Sequence, residues 1–213
     1  MADAPYVGGM NRFFSSLCIA TFLAFAATLA SHGPALAQQA ESPEIKPLEP
    51  EVSRSDRLND YFSKLKREAK PASARRIADR IWAEWRRSDS ATANQLMDWA
   101  NEAINDKRYY TALDLLDQII VLTPDYAEGW NRRATLHYMM NNHAKSMADI
   151  HVVLQLEPRH FGALMGMASI LTAAGSEEAA LGTYLKVLEV YPAMREAQDR
   201  VSELSEELAG DEI

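Results

Sequence analysis

Cysteine is almost missing from this 213-residue chain, with Cys18 its single one. One thiol excludes an intramolecular disulfide and a cysteine-built zinc site, so stability has to come from packing. Histidine is also scarce. Beyond residue 37 there are only His137, His143, His151 and His160. No two of them stand three or four apart, the spacing that puts two imidazoles on one helical turn around a metal. The chain has no His-Glu-x-x-His, no Gly-x-Ser-x-Gly elbow and no phosphate-cradling glycine loop. Zinc-peptidase, serine-hydrolase and nucleotide-hydrolysing classes therefore have no basis, and neither an enzyme nor a cofactor is expected. Positive charge is in deficit, 22 Lys and Arg against 30 Asp and Glu. A net −8 argues against nucleic acid as a partner.

Long apolar runs are confined to one place. Phe13 to Ala30 carries no charge, follows Arg12 and leads to Ala35-Leu36-Ala37. Those features describe a secretory signal over residues 1–37, cleaved after Ala37, and imply a bacterial periplasmic protein. The run is near the shortest that crosses a bilayer, so an uncleaved inner-membrane anchor is the alternative. Ser16-Leu17 ahead of Cys18 makes a poor lipoprotein site. Residues 38–54 carry Pro43, Pro47 and Pro50 among Glu41, Glu44, Glu49 and Glu51. A stretch so short of apolar side chains reads as an extended spacer, with a proline-rich ligand segment as the other reading.

Proline then marks time. Pro124, Pro158 and Pro192 follow one another at a constant interval of 34 residues, each after an apolar run such as Ile119-Ile120-Val121-Leu122 or Val152-Val153-Leu154. Proline cannot extend a helix, so each is a stop placed once per unit. Aligned on the prolines, one unit gives Trp130, Arg133-Ala134, His137, Ser146, Ile150 and Pro158. The next gives Leu164, Met167-Ala168, Leu171, Ala180, Tyr184 and Pro192, and the one before gives Leu96, Trp99-Ala100, Ala103, Ala112, Leu116 and Pro124. The spacing resembles the tetratricopeptide repeat, a helix hairpin with large and small residues at fixed places and a closing proline. That resemblance implies an all-α fold: a right-handed superhelical array of about four hairpins (59–92, 93–126, 127–160, 161–194) plus a capping helix over 195–208. The domain as a whole is expected over 55–208, with a frayed tail at 209–213.

The turns agree with this reading. Gly175 suits a left-handed helix end and Ser176 the following cap, while Asp106-Lys107-Arg108 and Asn141-Asn142 turn the two hairpins before it. The first unit is the divergent one. Phe62, Leu65, Ala69, Ala78 and Trp82 keep the pattern, but Lys66 replaces the small residue and Ser90 the proline. Pro71 is expected to separate its helices, with Ser73 capping the second. Trp82 and Trp85 read as core residues of an end layer. The stripe Ala197, Val201, Leu204 and Leu208 suits a helix covering the last unit.

In the family that this pattern resembles, the first helix of each unit lines a concave groove that takes a protein or peptide segment. Carried over by position, the groove residues are Arg67 and Lys70, then Met97, Asn101 and Ile104, then Asn131, Arg132, Thr135 and Tyr138, then Met165, Ser169 and Thr172. Arg67, Asn101 and Arg132 partly match the set with which some members hold a C-terminal carboxylate. Charge suggests two further contacts. The first unit is basic (Lys64, Lys66, Arg67, Lys70, Arg75, Arg76, Arg80, Arg86, Arg87) and the closing helix acidic. The basic unit suits anionic lipid headgroups or the acidic end of a second copy in a salt-sensitive homo-oligomer.

Overall fold

A computed structural model describes residues 52–210; the expected export segment, most of the spacer and residues 211–213 lie outside them. Among the described residues there are nine helices and no strand: α1 (Arg54–Arg67), α2 (Pro71–Trp85), α3 (Ala91–Asn105), α4 (Tyr109–Leu122), α5 (Ala127–Met139), α6 (His143–Leu156), α7 (Phe161–Ala173), α8 (Glu177–Val190) and α9 (Arg195–Gly210). None is long and apolar enough to cross a membrane.

The small-residue positions explain the pairing. Ala100, Ala134 and Ala168 are buried on α3, α5 and α7, and Ala112, Ser146 and Ala180 are buried on the partner helices α4, α6 and α8. With so little side chain at both places the paired helices approach closely, while Leu116, Ile150 and Tyr184 fill the space beside them. Ser146 keeps its hydroxyl in that core by donating to the Ala134 carbonyl at 2.8 Å, which satisfies the buried oxygen. The hairpins α3–α4, α5–α6 and α7–α8 stack in order, and α9 covers α8 through Ala197 and Leu204.

Each turn repeats one device. Lys107, Asn141 and Gly175 all have positive φ (59°, 60° and 68°) and fall at the same place in successive units. The following amides, of Arg108, Asn142 and Ser176, return to the carbonyls of Ala103, His137 and Leu171 at 2.8–2.9 Å. That bond closes a helix end whose last carbonyls have no partner within the helix. At the proline connections the amides of Thr123, Glu157 and Tyr191 bond Ile119, Val153 and Val187 at 2.8 Å. Side chains at the same place in the repeat, Trp130 and Gln198, donate to the Pro124 and Pro192 carbonyls.

The first hairpin departs from the expected order. It forms, but α2 makes no substantial packing with α3 and belongs instead to the core of α7, α8 and α9. It lies along the row of connections that carry the three prolines. The Tyr126 hydroxyl donates to the Arg86 carbonyl, Trp82 and Trp85 meet His160 and Phe161, and Pro71, Arg75 and Asp79 face Tyr191, Met194 and Arg195. Lys66 supplies the physical reason. It stands where the repeat needs a small buried residue, and an ammonium cannot be buried there unpaired, so it is exposed. Pro71 does stand between α1 and α2, as the first residue of α2, but the cap expected at Ser73 is instead Lys70. The proline's fixed φ and missing N–H suit a first turn, and Ser73 sits inside the helix, accepting from Arg76. α9 runs to Gly210, two residues past the expected end.

Candidate functional site

The inner faces of α3, α5 and α7 form two adjoining hollows. One, between α3 and α5, is lined by Asn94, Met97, Asp98, Asn101, Glu128 and Arg132 together with Arg86 and Arg87 from the α2–α3 connection. The other lies between α5 and α7, with Asn131, Thr135 and Tyr138 on one wall and Gly162, Ala163 and Gly166 on the other. Gly166 removes a side chain from the α7 wall beside Ile150, whereas a Cβ on Gly162 would meet Trp82.

The chemistry of these surfaces follows from what each group already bonds. Thr135, Ser169 and Thr172 donate their hydroxyl hydrogens to the carbonyls of Asn131, Met165 and Ala168 in their own helices. They therefore offer oxygen acceptors, and no hydrogen, to anything in the groove. Asn131 is buried and its amide donates to Glu128 Oε2 at 2.8 Å. Met97 is buried in the α3–α4 core, so it supports the groove more than it lines it. Ile104 is half-buried against the same core, and Met165 is half-buried beneath the first hairpin's cluster. Of the expected groove residues, Asn101, Arg132, Thr135 and Tyr138 line the two hollows with polar or aromatic groups not spent in the core, while Ser169 and Thr172 lie further along α7, outside both linings. Tyr138 is 41% exposed, its ring 5.3 Å from that of His143.

Arg67 and Lys70 are not with them. Arg67 ends α1 and Lys70 precedes α2, and the fifteen residues of α2 carry the chain roughly 20 Å before Arg86 reaches the groove. The partial carboxylate set of Arg67, Asn101 and Arg132 is thus not assembled. Arg86 and Arg87 take the place that Arg67 was expected to hold. Sequence reasoning grouped them with the basic first unit and had no signal for their position, which depends on where the hairpin docks.

A buried polar junction ties this rim together. Glu128, in the first turn of α5, accepts from Asn131 and lies 3.9 Å from Arg132 Nη2 and 3.4 Å from His160 Nε2. His160 is fully buried and stacks on Trp85 at 4.0 Å, while its Nδ1 accepts the Ala163 N–H and caps α7. That bond leaves the ring hydrogen on Nε2, facing the carboxylate. Burial and the Glu128 charge push the Tyr126 phenol well above its ordinary pKa, so it stays a donor to the Arg86 carbonyl.

On the outer wall, Arg133 of α5 binds Asp149 of α6 through two bonds (2.8 and 2.7 Å) and Asp117 of α4 at 2.6 Å, with its guanidinium 5.0 Å from the Trp130 ring. Beside it His137 is buried, and desolvation lowers its pKa. This network locks α4, α5 and α6 together. Among the described residues no three His, Cys, Asp or Glu side chains converge as metal ligands would.

Comparison with known proteins agrees with this geometry. The chain is 54% identical over 158 residues to a TPR repeat-containing protein of Rhizobium etli, covering 74% of this chain and 78% of that one. No protein-family model matches it. Among solved structures, the first TPR of Spaghetti (RPAP3), bound to the HSP90 peptide SRMEEVD, superposes with a TM-score of 0.53 at 23% identity over 57% of this chain and 96% of that one. MamA gives 0.52 at 14% identity over 70% and 84%. The TPR2B domain of yeast Sti1, in a pHsp70 complex, gives 0.50 at 20% identity over 55% and 99%. At these identities the likeness is one of fold.

Proposed function

The chain belongs to the tetratricopeptide-repeat proteins, and from that premise we propose that it is a non-enzymatic scaffold holding an extended segment of a protein partner across α3, α5 and α7. The observation that carries the proposal is the pair of adjoining hollows, floored by helices and edged by groups that still have bonds to give. Asn101 offers both an amide donor and an acceptor, Arg132 and the two connection arginines offer cations, and Tyr138 offers an exposed ring. A carboxamide facing a groove pairs with a peptide N–H and C=O together, which favours extended backbone over any one side chain. Exposed guanidiniums at one end favour a segment with acidic residues there. Support by analogy comes from the Spaghetti domain, which is described with a peptide containing two glutamates and a C-terminal aspartate. The setting we propose is the bacterial periplasm, on the strength of Arg12, the apolar run and Ala35-Leu36-Ala37.

The test pairs Arg132→Glu with Tyr138→Ala in the mature protein. Because Arg132 lies 3.9 Å from the buried Glu128 carboxylate, Arg132→Gln with Tyr138→Ala is made in parallel, and both double variants are required to keep the native circular dichroism spectrum. Partners recovered from the periplasmic fraction by the native protein should fall to background with either double variant. Undiminished recovery would refute the groove assignment.

A further inference from the structure

The contact between the first hairpin and the rim is built largely on aromatic rings. Within each repeat the two helices meet through alanines and one satisfied serine, and α4 and α5 of successive repeats are tied by Arg133 and Asp117. The hairpin instead rests on rings. Trp82 stands edge-on to His160 (5.4 Å) and Phe161 (5.4 Å), Trp85 lies against the same two, and Arg159 reaches back over Phe62 at 4.1 Å. Trp82 sits directly on Gly162, where a Cβ would come within 2.6 Å of its ring.

Polar satisfaction differs as well. Six buried side-chain nitrogens among the described residues lack a hydrogen-bond partner, and Arg54 Nε, Trp85 Nε1 and His160 Nε2 all lie in this one contact, with Arg132 Nε beside it. Arg54 Nε and Trp85 Nε1 forfeit in the docked state a bond that water supplies once the surfaces part, while His160 Nε2 has only the Glu128 carboxylate at 3.4 Å. Such a contact is weaker than its apolar area implies. The pivot, by contrast, is well made: Ser88 exchanges three bonds with Asn94 across the α2–α3 connection.

We propose that the α1–α2 hairpin is a strap that lifts from the rim as a unit while α5 to α9 stay folded. Lifting uncovers Glu128, Gly162 and Met165 at the upper end of the groove, together with the His160–Phe161 surface. An amphipathic partner helix with aromatic residues a turn apart fits the place that Trp82 and Trp85 vacate. The strap motion does not depend on the groove being a peptide site, and its test needs no partner.

The experiment is amide hydrogen exchange on the full chain, comparing the native protein with Gly162→Ala and Tyr126→Phe. Alanine at 162 favours helix in α7 but collides with Trp82, so it strikes the strap without weakening the stack. In the native protein the amides of residues 54–85 should exchange as one set, at least about ten-fold less protected than those of α5, α6 and α8. Gly162→Ala should lower strap protection by a further ten-fold or so and leave α5, α6 and α8 unchanged. Tyr126→Phe, which removes only the bond to Arg86, should lower it by about three- to ten-fold. Equal protection of strap and stack in the native protein, or loss spread evenly over all helices in Gly162→Ala, overturns the proposal.

Discussion

Replacing Arg133 by methionine tests how the stack is held on its outer wall. The side chain bonds Asp149 twice and Asp117 once, so one residue of α5 joins its own partner helix α6 to α4 of the preceding hairpin. The two carboxylates differ in burial: that of Asp149 is 6% exposed and that of Asp117 58%. An exposed pair contributes only about 0.2–1 kcal/mol, whereas a buried carboxylate stripped of its cation costs about 3–5 kcal/mol. Methionine retains much of the apolar stem that packs beside Trp130, so the expected loss is about 3 kcal/mol, nearly all of it from Asp149. For a domain of this size that lowers the melting temperature by roughly 6–12 °C. Adding Asp149→Leu removes the stranded charge and should recover about 2 kcal/mol. Urea unfolding followed by far-UV circular dichroism measures both variants and the coupling between them. A loss below about 1 kcal/mol for Arg133→Met, or a double variant as unstable as the sum of the singles, would refute this reasoning.

Other outcomes follow from single features. Lys107 holds φ at +59° without being glycine, so Lys107→Gly should stabilise the protein by about 0.5 kcal/mol, the relief of left-handed strain exceeding the extra entropy of the unfolded chain. Gly175→Ala, at the same place one unit pair later, should cost about 1 kcal/mol in the same denaturation assay. Leu116 is fully buried between α3 and α4, and Leu116→Ala should cost about 2–5 kcal/mol. Glu84 has its pKa lowered chiefly by the hydrogen bond from Arg57. A lowered carboxyl pKa contributes stability present above the unfolded value of 4.5 and lost as pH falls through the folded one. Glu84→Gln should therefore lower stability at pH 7 by less than about 1 kcal/mol, and the difference from the native protein should shrink and vanish in acid denaturation as Glu84 is protonated in the folded state too.

Much of the architecture is legible in the sequence because the repeat imposes it locally. Prolines at 124, 158 and 192 stop helices by their own covalent structure, and a glycine at 175 marks a left-handed turn that any reader of the chain identifies. The same turn at Lys107 and Asn141 is invisible by residue type and becomes apparent only through its equivalence to Gly175. The place of the first hairpin was not legible. Lys66 and Ser90 announce that the unit is irregular, but the surface that receives Trp82 and Trp85 is assembled from connections up to about a hundred residues away. For the same reason Arg67 looked like a groove residue and Arg86 did not. Side-chain availability was also hidden: the hydroxyls of Thr135, Ser169 and Thr172 lie at groove positions, yet their hydrogens are spent within their own helices.

The most direct measurement places a photo-crosslinking amino acid in turn at Asn101, Tyr138 and Thr172, with Leu185 on α8 as the control, and maps what is captured in the native compartment. Two interhelical steps of about 9 Å separate α3 from α7, a span of about five or six extended residues. The account predicts that the three groove positions label one partner within a stretch of roughly ten residues, in an order that follows α3, α5 and α7, and that Leu185 does not label it. Labelling from Leu185 equal to that from the groove, or labels scattered over unrelated stretches, would contradict it.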